Sequence, residues 1–186
     1  MRIVMLGPPG AGKGTQAAVL ASVEQVPHIV ASDLLEEEID RGSPRGQSAK
    51  ACMERGELVP DALMIELIDE RLDHVRGFVL DGFPRNVSQA EALAEELSGL
   101  DESLEAVVLL DVPHDELVDR LTRRATEQGR SDDDPDTVRH RLGVYAEETE
   151  PLIGYYASEG LLVRVDGVGS VAEIADRVRT GLARRP

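Results

Sequence analysis

Short apolar runs alternate along this chain with segments whose apolar positions recur every three to four residues. "RIVMLG", "HIV", "GFVLDG", "EAVVLLDV" and "LLVRVDG" read as strands, the longest of them too uniformly apolar for a half-exposed sheet. Helical patterns are predicted from Gly12 to about Glu24, and over Asp33–Arg41, Pro44–Arg55, Pro60–His74 and Ser88–Leu97. "PHDELVDRLTRR" restarts a helix with Pro113 near its first turn, and "ATEQGRSDDDPD" reads as a polar loop. The stretch from Asp136 to Gly160 reads as one long helix with Pro151 as its bend, and Ser170–Leu182 as the last helix. Strand–helix alternation of this kind predicts parallel βαβ units and an open, doubly wound α/β sheet of about five strands, with helices on both faces.

Two segments interrupt the alternation. Residues 31–74 place three helices between two strands, and 125–133 form a polar stretch between two helices. Both are candidate covers over a ligand. The 186 residues suit a single domain with a sizeable core. Aromatics make up 3% and Trp is absent, so that core is expected to be aliphatic. The formal net charge of −16 argues against nucleic acid or an anionic membrane as partner, while leaving room for a local basic pocket. No apolar run approaches a membrane span, and a cytoplasmic setting is expected. Cys52 is the single cysteine, which excludes an intrachain disulfide and a cysteine-based zinc site. Cys52, Tyr155 and Tyr156 read as packing residues, and His28 and His140 lack a partner pattern for metal or acid–base work.

The first strand runs into "GPPGAGKGT", Gly7–Thr15, which fits G-x-x-x-x-G-K through Gly7, Gly12 and Lys13. Glycines allow backbone N–H groups to converge on phosphate oxygens, and the following helix N-terminus adds a favourable dipole. Gly10, Ala11, Gly12, Lys13, Gly14 and Thr15 are therefore the candidate phosphate cradle, with Lys13 reaching the β/γ phosphates of a nucleoside triphosphate. A GTPase switch would also need a guanine-reading Asn-Lys-x-Asp, which the chain lacks.

"GPPGAGKGTQ" together with "GFVLDGFPRNVSQAEAL" resembles the adenylate kinase family of nucleoside monophosphate kinases. "GELVP", "GRSDDDPDTVRHRL" and "VDGVGSVAEI" resemble it too, in the same order, so the likeness spans essentially the whole chain. The resemblance implies a P-loop kinase that moves the γ-phosphoryl of ATP, as its Mg2+ complex, reversibly to a monophosphate such as AMP. It implies an acceptor-binding insertion over about 31–74, a short lid over about 125–133 without zinc, and a monomer. It assigns Asp81 to Mg2+ through water and Arg85 to the acceptor phosphate. Gln89, Gly82, Leu58 and Val59 would surround the acceptor base and ribose. Arg120 would stack on the donor base, with Gly167 to Gly169 offering it backbone contacts. Arg123 or Arg124, Arg130 and Arg141 would surround the transferring group, positioned by Asp132 and Asp133. The physics agrees: phosphoryl transfer needs positioning and cations more than covalent chemistry, and an acidic chain concentrates arginines between 120 and 141. Arg139 points away from Arg141 by helical geometry and reads as a surface residue.

The chain departs from the family in "IVASDLLEEEID". The family reads Ser-Thr-Gly-Asp, two residues, then Arg, with the Thr and the Arg contacting the acceptor. Here Ala31, Ser32 and Glu36 stand in the places of Thr, Gly and Arg. A carboxylate beside a phosphate costs on the order of 1–4 kcal/mol. Three readings follow. Glu36, Glu37 and Glu38 form a solvated face while Arg41 or Arg45 reaches in; or Glu36 meets a different acceptor, such as another small phosphate or phosphonate; or the chain is a nucleotide-binding regulatory module without turnover.

Overall fold

The computed structural model describes residues 1–55, 57–128 and 135–185, with the side chains of all but 125–128 and 135. Strand β1 (Arg2–Leu6) leads through the glycine loop into α1 (Lys13–Glu24). Strand β2 (His28–Val30) is followed by α2 (Ala31–Asp40), α3 (Pro44–Glu54) and α4 (Asp61–Leu72). Then come β3 (Phe78–Asp81), α5 (Val87–Gly99), β4 (Ala106–Asp111) and α6 (His114–Gln128). Helix α7 (Pro135–Val144), a π-helical turn over Tyr145–Thr149, α8 (Pro151–Ser158), β5 (Leu162–Asp166) and α9 (Val171–Ala183) complete the order. The five strands form one sheet in the order β2-β3-β1-β4-β5, with every neighbouring pair parallel.

Strand residues alternate between two cores, which is why the strands read as continuous apolar runs. Val4, Leu6, Val107 and Leu109 face a core shared with α2, α4, α5 and α8. Ile3, Met5, Val108 and Leu110 face one shared with α1, α6 and α9. Among the described residues, no helix is long and apolar enough to cross a membrane.

Three boundaries differ from the sequence expectation. Helix α2 starts at Ala31, straight from the strand and two residues before the expected start at Asp33, so Asp33 sits within its first turn, where the helix dipole favours a carboxylate. Helix α6 continues through Gln128, four residues into the expected polar loop, because Ala125, Glu127 and Gln128 are good helix formers. The long helix predicted over 136–160 is interrupted. Pro151 has no N–H to give, and the turn before it widens, with the Glu150 N–H bonding the Tyr145 carbonyl at 2.9 Å. All three tyrosines, Tyr145, Tyr155 and Tyr156, lie in this one arm, the last two in edge-to-face contact at 5.0 Å.

Candidate active site

Strands β1 and β3 end side by side, and the site forms outside their carboxyl ends. Gly7, Gly10 and Gly12 carry φ of 146°, 84° and 92°. A side chain on Gly10 would also press to 2.9 Å of Leu121 Cγ, whereas Gly12 is needed for its backbone conformation alone, with nothing within 4 Å. No side chain caps α1 and no acidic residue lies in its first turn, so its leading N–H groups and positive dipole end remain available to an anion. Gly14 and Thr15 are exposed there, while Ala11 is buried beneath the loop. Lys13 folds back over the loop, its Nζ donating to the carbonyls of Gly7 at 2.8 Å and Pro8 at 3.1 Å. Enclosure pulls the Lys13 ammonium down to about 8. Asp81 opposes this, and the positive fields of Arg85, Arg141 and Arg124 reinforce it.

Asp81 closes β3, buried, its Oδ2 3.2 Å from where a Gly14 Cβ would stand and 3.7 Å from His28 Nε2. Gly82 turns the chain with φ 84°, bringing its Cα face against the Ala31 methyl and the Arg85 guanidinium. Arg85 opens into the cleft. The surrounding protein still lowers its basicity, first by desolvation and then through Arg141, with Asp81 opposing. Its Nε donates to Gly82 O at 2.9 Å, leaving the terminal nitrogens for a ligand.

Gln89, expected beside the acceptor base, is engaged with the protein itself. It is 1% exposed, its Oε1 accepts from the Arg85 N–H at 2.8 Å, and its Nε2 donates to Asp61 at 2.7 Å. In this arrangement it supports the loop from behind. Val59 is likewise buried in the core, and Leu58 beside it is half-buried.

Arg120 bridges two walls of the donor side, donating to Gly167 O at 2.9 Å and Ala11 O at 3.4 Å, and is steadied by Glu116 at 2.8 Å. Gly167 must be glycine because a Cβ would lie 2.5 Å from Val112. Arg177 holds the same loop, which continues through Gly169, by its bonds to Asp166 O and Val168 O. Arg124 and Arg141 are half-buried and their charge is felt at Lys13, whereas Arg123 is exposed. Arg139 pairs at the surface with Asp136. Arg130, Asp132 and Asp133, with most of the expected lid, lie outside the described residues.

On α2 the three glutamates separate. Glu36 and Glu37 are exposed, but Glu38 is 3% exposed and is not part of a solvated face. Helical spacing turns Glu38 toward α3, where it accepts from Ser43 Oγ at 2.7 Å and Arg41 at 2.5 Å, with Arg45 Nε at 3.5 Å. The Ser43 bond, ahead of the arginines, holds its carboxyl below the usual range. Arg41 also reaches Glu37, and Arg45 reaches Glu66 and Glu70 on α4. Arg45 therefore ties α3 to α2 and α4, while Arg41 pairs with the end of its own helix α2. Glu36 has no hydrogen bond or ion pair with any described residue. Ala31 is buried beside Gly82, and Ser32 is half-buried.

The sequence pattern of the family described as Adenylate kinase matches residues 5–161. The chain belongs to the adenylate kinase family. An adenylate kinase of Xylella fastidiosa (strain 9a5c) is 51% identical over 185 residues, 98% of this chain and 99% of the relative. Adenylate kinases of Xanthomonas oryzae pv. oryzae (strain MAFF 311018) and Xanthomonas campestris pv. campestris (strain 8004) are 50% and 51% identical, each covering 99% of this chain and 100% of the relative. Membership brings the adenylate kinase chemistry with it: ATP-dependent phosphoryl transfer, with ATP handled as its Mg2+ complex.

The site suits that group. Lys13, Arg85, Arg124 and Arg141 bring positive charge to one place against Asp81, a donor set that calls for a polyanion accompanied by a hard cation. Among the described residues there is no group of three or more His, Cys, Asp or Glu side chains that could hold a metal ion. Sequence reading of this family member did not single out Asp61 or Thr149, and it gave His28 no partner. Each meets its partner only in the fold: Asp61 on Gln89, Thr149 on the Arg85 carbonyl, His28 facing Asp81.

Proposed function

We propose that this protein transfers the γ-phosphoryl of MgATP reversibly to AMP, with the donor on the Gly7–Thr15 loop and the acceptor beneath α2–α4. The observation that carries the reading is the convergence of Lys13, Arg85, Arg124 and Arg141 on the cleft beside Asp81. The first-turn N–H groups of α1 take the donor's β-phosphate, and Lys13 leaves the Gly7 and Pro8 carbonyls for the β/γ oxygens. Arg85 holds the acceptor phosphate in line through its terminal nitrogens. Arg141 and Arg124, joined by Arg130, stabilise charge on the transferring group; of the pair Arg123 and Arg124, the second takes this role because its charge is felt at Lys13. Arg120 and the Gly167–Gly169 loop bound the donor base. Asp81 would hold Mg2+ through water, and the ion supplies neutralisation of phosphate charge. Closure over the site excludes water, so the phosphoryl group passes to the acceptor rather than to hydroxide.

The test is ADP formation in a coupled assay across AMP, CMP, UMP, GMP and small phosphates or phosphonates. Turnover is expected with AMP as the preferred acceptor. Lys13→Ala should remove it while far-UV circular dichroism stays unchanged. Substantial activity in that variant would take Lys13 out of its role. Full-length likeness to adenylate kinases favours neither a module without turnover nor a different phosphate-bearing acceptor, although Glu36 is exposed and unpartnered while Arg41 and Arg45 are engaged elsewhere. Preference for a non-AMP acceptor in the same panel would establish the different acceptor.

A further inference from the structure

The backbone of Arg85 is gripped from two sides by buried polar side chains. Its N–H donates to Gln89 Oε1 at 2.8 Å, and its carbonyl accepts from Thr149 Oγ1 at 2.7 Å. Gln89 is 1% exposed and Thr149 8%, so water competes for neither bond. With Nε also tied to Gly82 O, only the terminal nitrogens of the guanidinium remain to meet a ligand.

The two grips belong to different parts of the molecule. Gln89 is oriented by Asp61, the first residue of α4, whose carboxylate accepts from Gln89 Nε2 at 2.7 Å and from Asn86 Nδ2 at 3.0 and 3.1 Å. That carboxylate only accepts, so it selects the amide rotamer that turns Oε1 to the Arg85 N–H. Asn86 in turn caps α5 through the Gln89 N–H at 2.9 Å. Thr149 closes the π-helical turn that follows α7, the helix carrying Arg141. Wide turns of this kind recur inside helices where a side chain is re-aimed at a site.

We propose that the Arg85 main chain is a shared anchor. Thr149 and Asp61 are positioning residues that register the Arg141 arm and the α2–α4 insertion, respectively, against one guanidinium. Neither touches a substrate. The proposal rests on the phosphate-gripping role given to Arg85 above.

A double-mutant cycle tests it. Thr149→Val keeps the shape, removes the donor and strands the Arg85 carbonyl. It is expected to lower kcat by about tenfold, since small displacements of a positioned group are costly to rate, with the KM for ATP changed less than about twofold. Thr149→Ser should recover activity to within about twofold of wild type. The deciding measurement repeats Thr149→Val in the Arg85→Lys background. There its cost should shrink to less than about twofold, because the fork it positions is gone. Asp61→Leu should be masked in the same way. Equal costs in both backgrounds, or no cost in either, overturn the anchor. Should Thr149→Val not fold, Thr149→Ala takes its place in the cycle. Wild-type activity in Arg85→Lys alone would instead overturn the role given to Arg85, and the anchor with it.

Discussion

Lys13 shows how a cleft built for anions treats its own cations while it waits. Desolvation and three neighbouring arginines lower its ammonium to about 8 from the ordinary 10.5. The folded protein therefore releases this proton first, and between pH 8 and 10.5 the ligand-free protein gains stability as pH rises. Bound phosphate reverses the preference. ATP binding near pH 8.5–9 should take up a fraction of a proton, read as a buffer-dependent enthalpy in titration calorimetry. The wild-type kcat/KM for ATP should fall above pH 8 while Lys13→Arg shows no such fall. Buffer-independent enthalpies would remove the linkage. Glu36 presents the opposite case, a bare carboxylate on the acceptor-side helix. If it faces the acceptor phosphate, Glu36→Arg should raise kcat/KM for AMP by at least about tenfold, chiefly through KM. An unchanged value would make Glu36 an ordinary surface residue.

At the scale of elements, α2, α3 and α4 are joined by charge as much as by apolar packing. Glu38 holds Arg41 and Arg45, Arg45 continues to Glu66 and Glu70, and Arg71 closes back to Glu37. The contact between α4 and α5 is less well matched. Asp69 is raised to about 6, first by desolvation and then by Glu96, Asp73 and Glu66. Its folded value lies above its unfolded one, so its ionised form penalises the fold above about pH 6, and the penalty fades as pH falls toward 3.8. Asp69 is half-buried, and solvent screens part of the effect. Asp69→Asn should raise Tm at pH 7.5 by about 1–3 °C and lose that advantage below about pH 4. An equal gain at both pH values would mean that charge is not the cause.

For the whole molecule, legibility followed the range of the interactions. The strand order of appearance, the α/β class and the phosphate loop were readable because each rests on local periodicity or on a contiguous motif. The position of Asp81 at the end of a strand was readable for the same reason. The burial of Glu38, which one of the three readings of this helix placed on a solvated face, was not readable because its partners, Ser43 and Arg45, lie across a turn that hydropathy does not describe. Thr149 and Arg85 stand 64 residues apart and Asp61 and Gln89 28, so no spacing rule joins them before the sheet does. The break before Pro151 was foreseen, but the widened turn that aims Thr149 was not. The placement of the aromatics has its own use. With no Trp in the chain and every Tyr between residues 145 and 156, the protein's ultraviolet emission arises from a single arm. Light excited at the tyrosine band therefore watches the neighbourhood of Thr149 and Tyr156 without a dye, a label or a substitution.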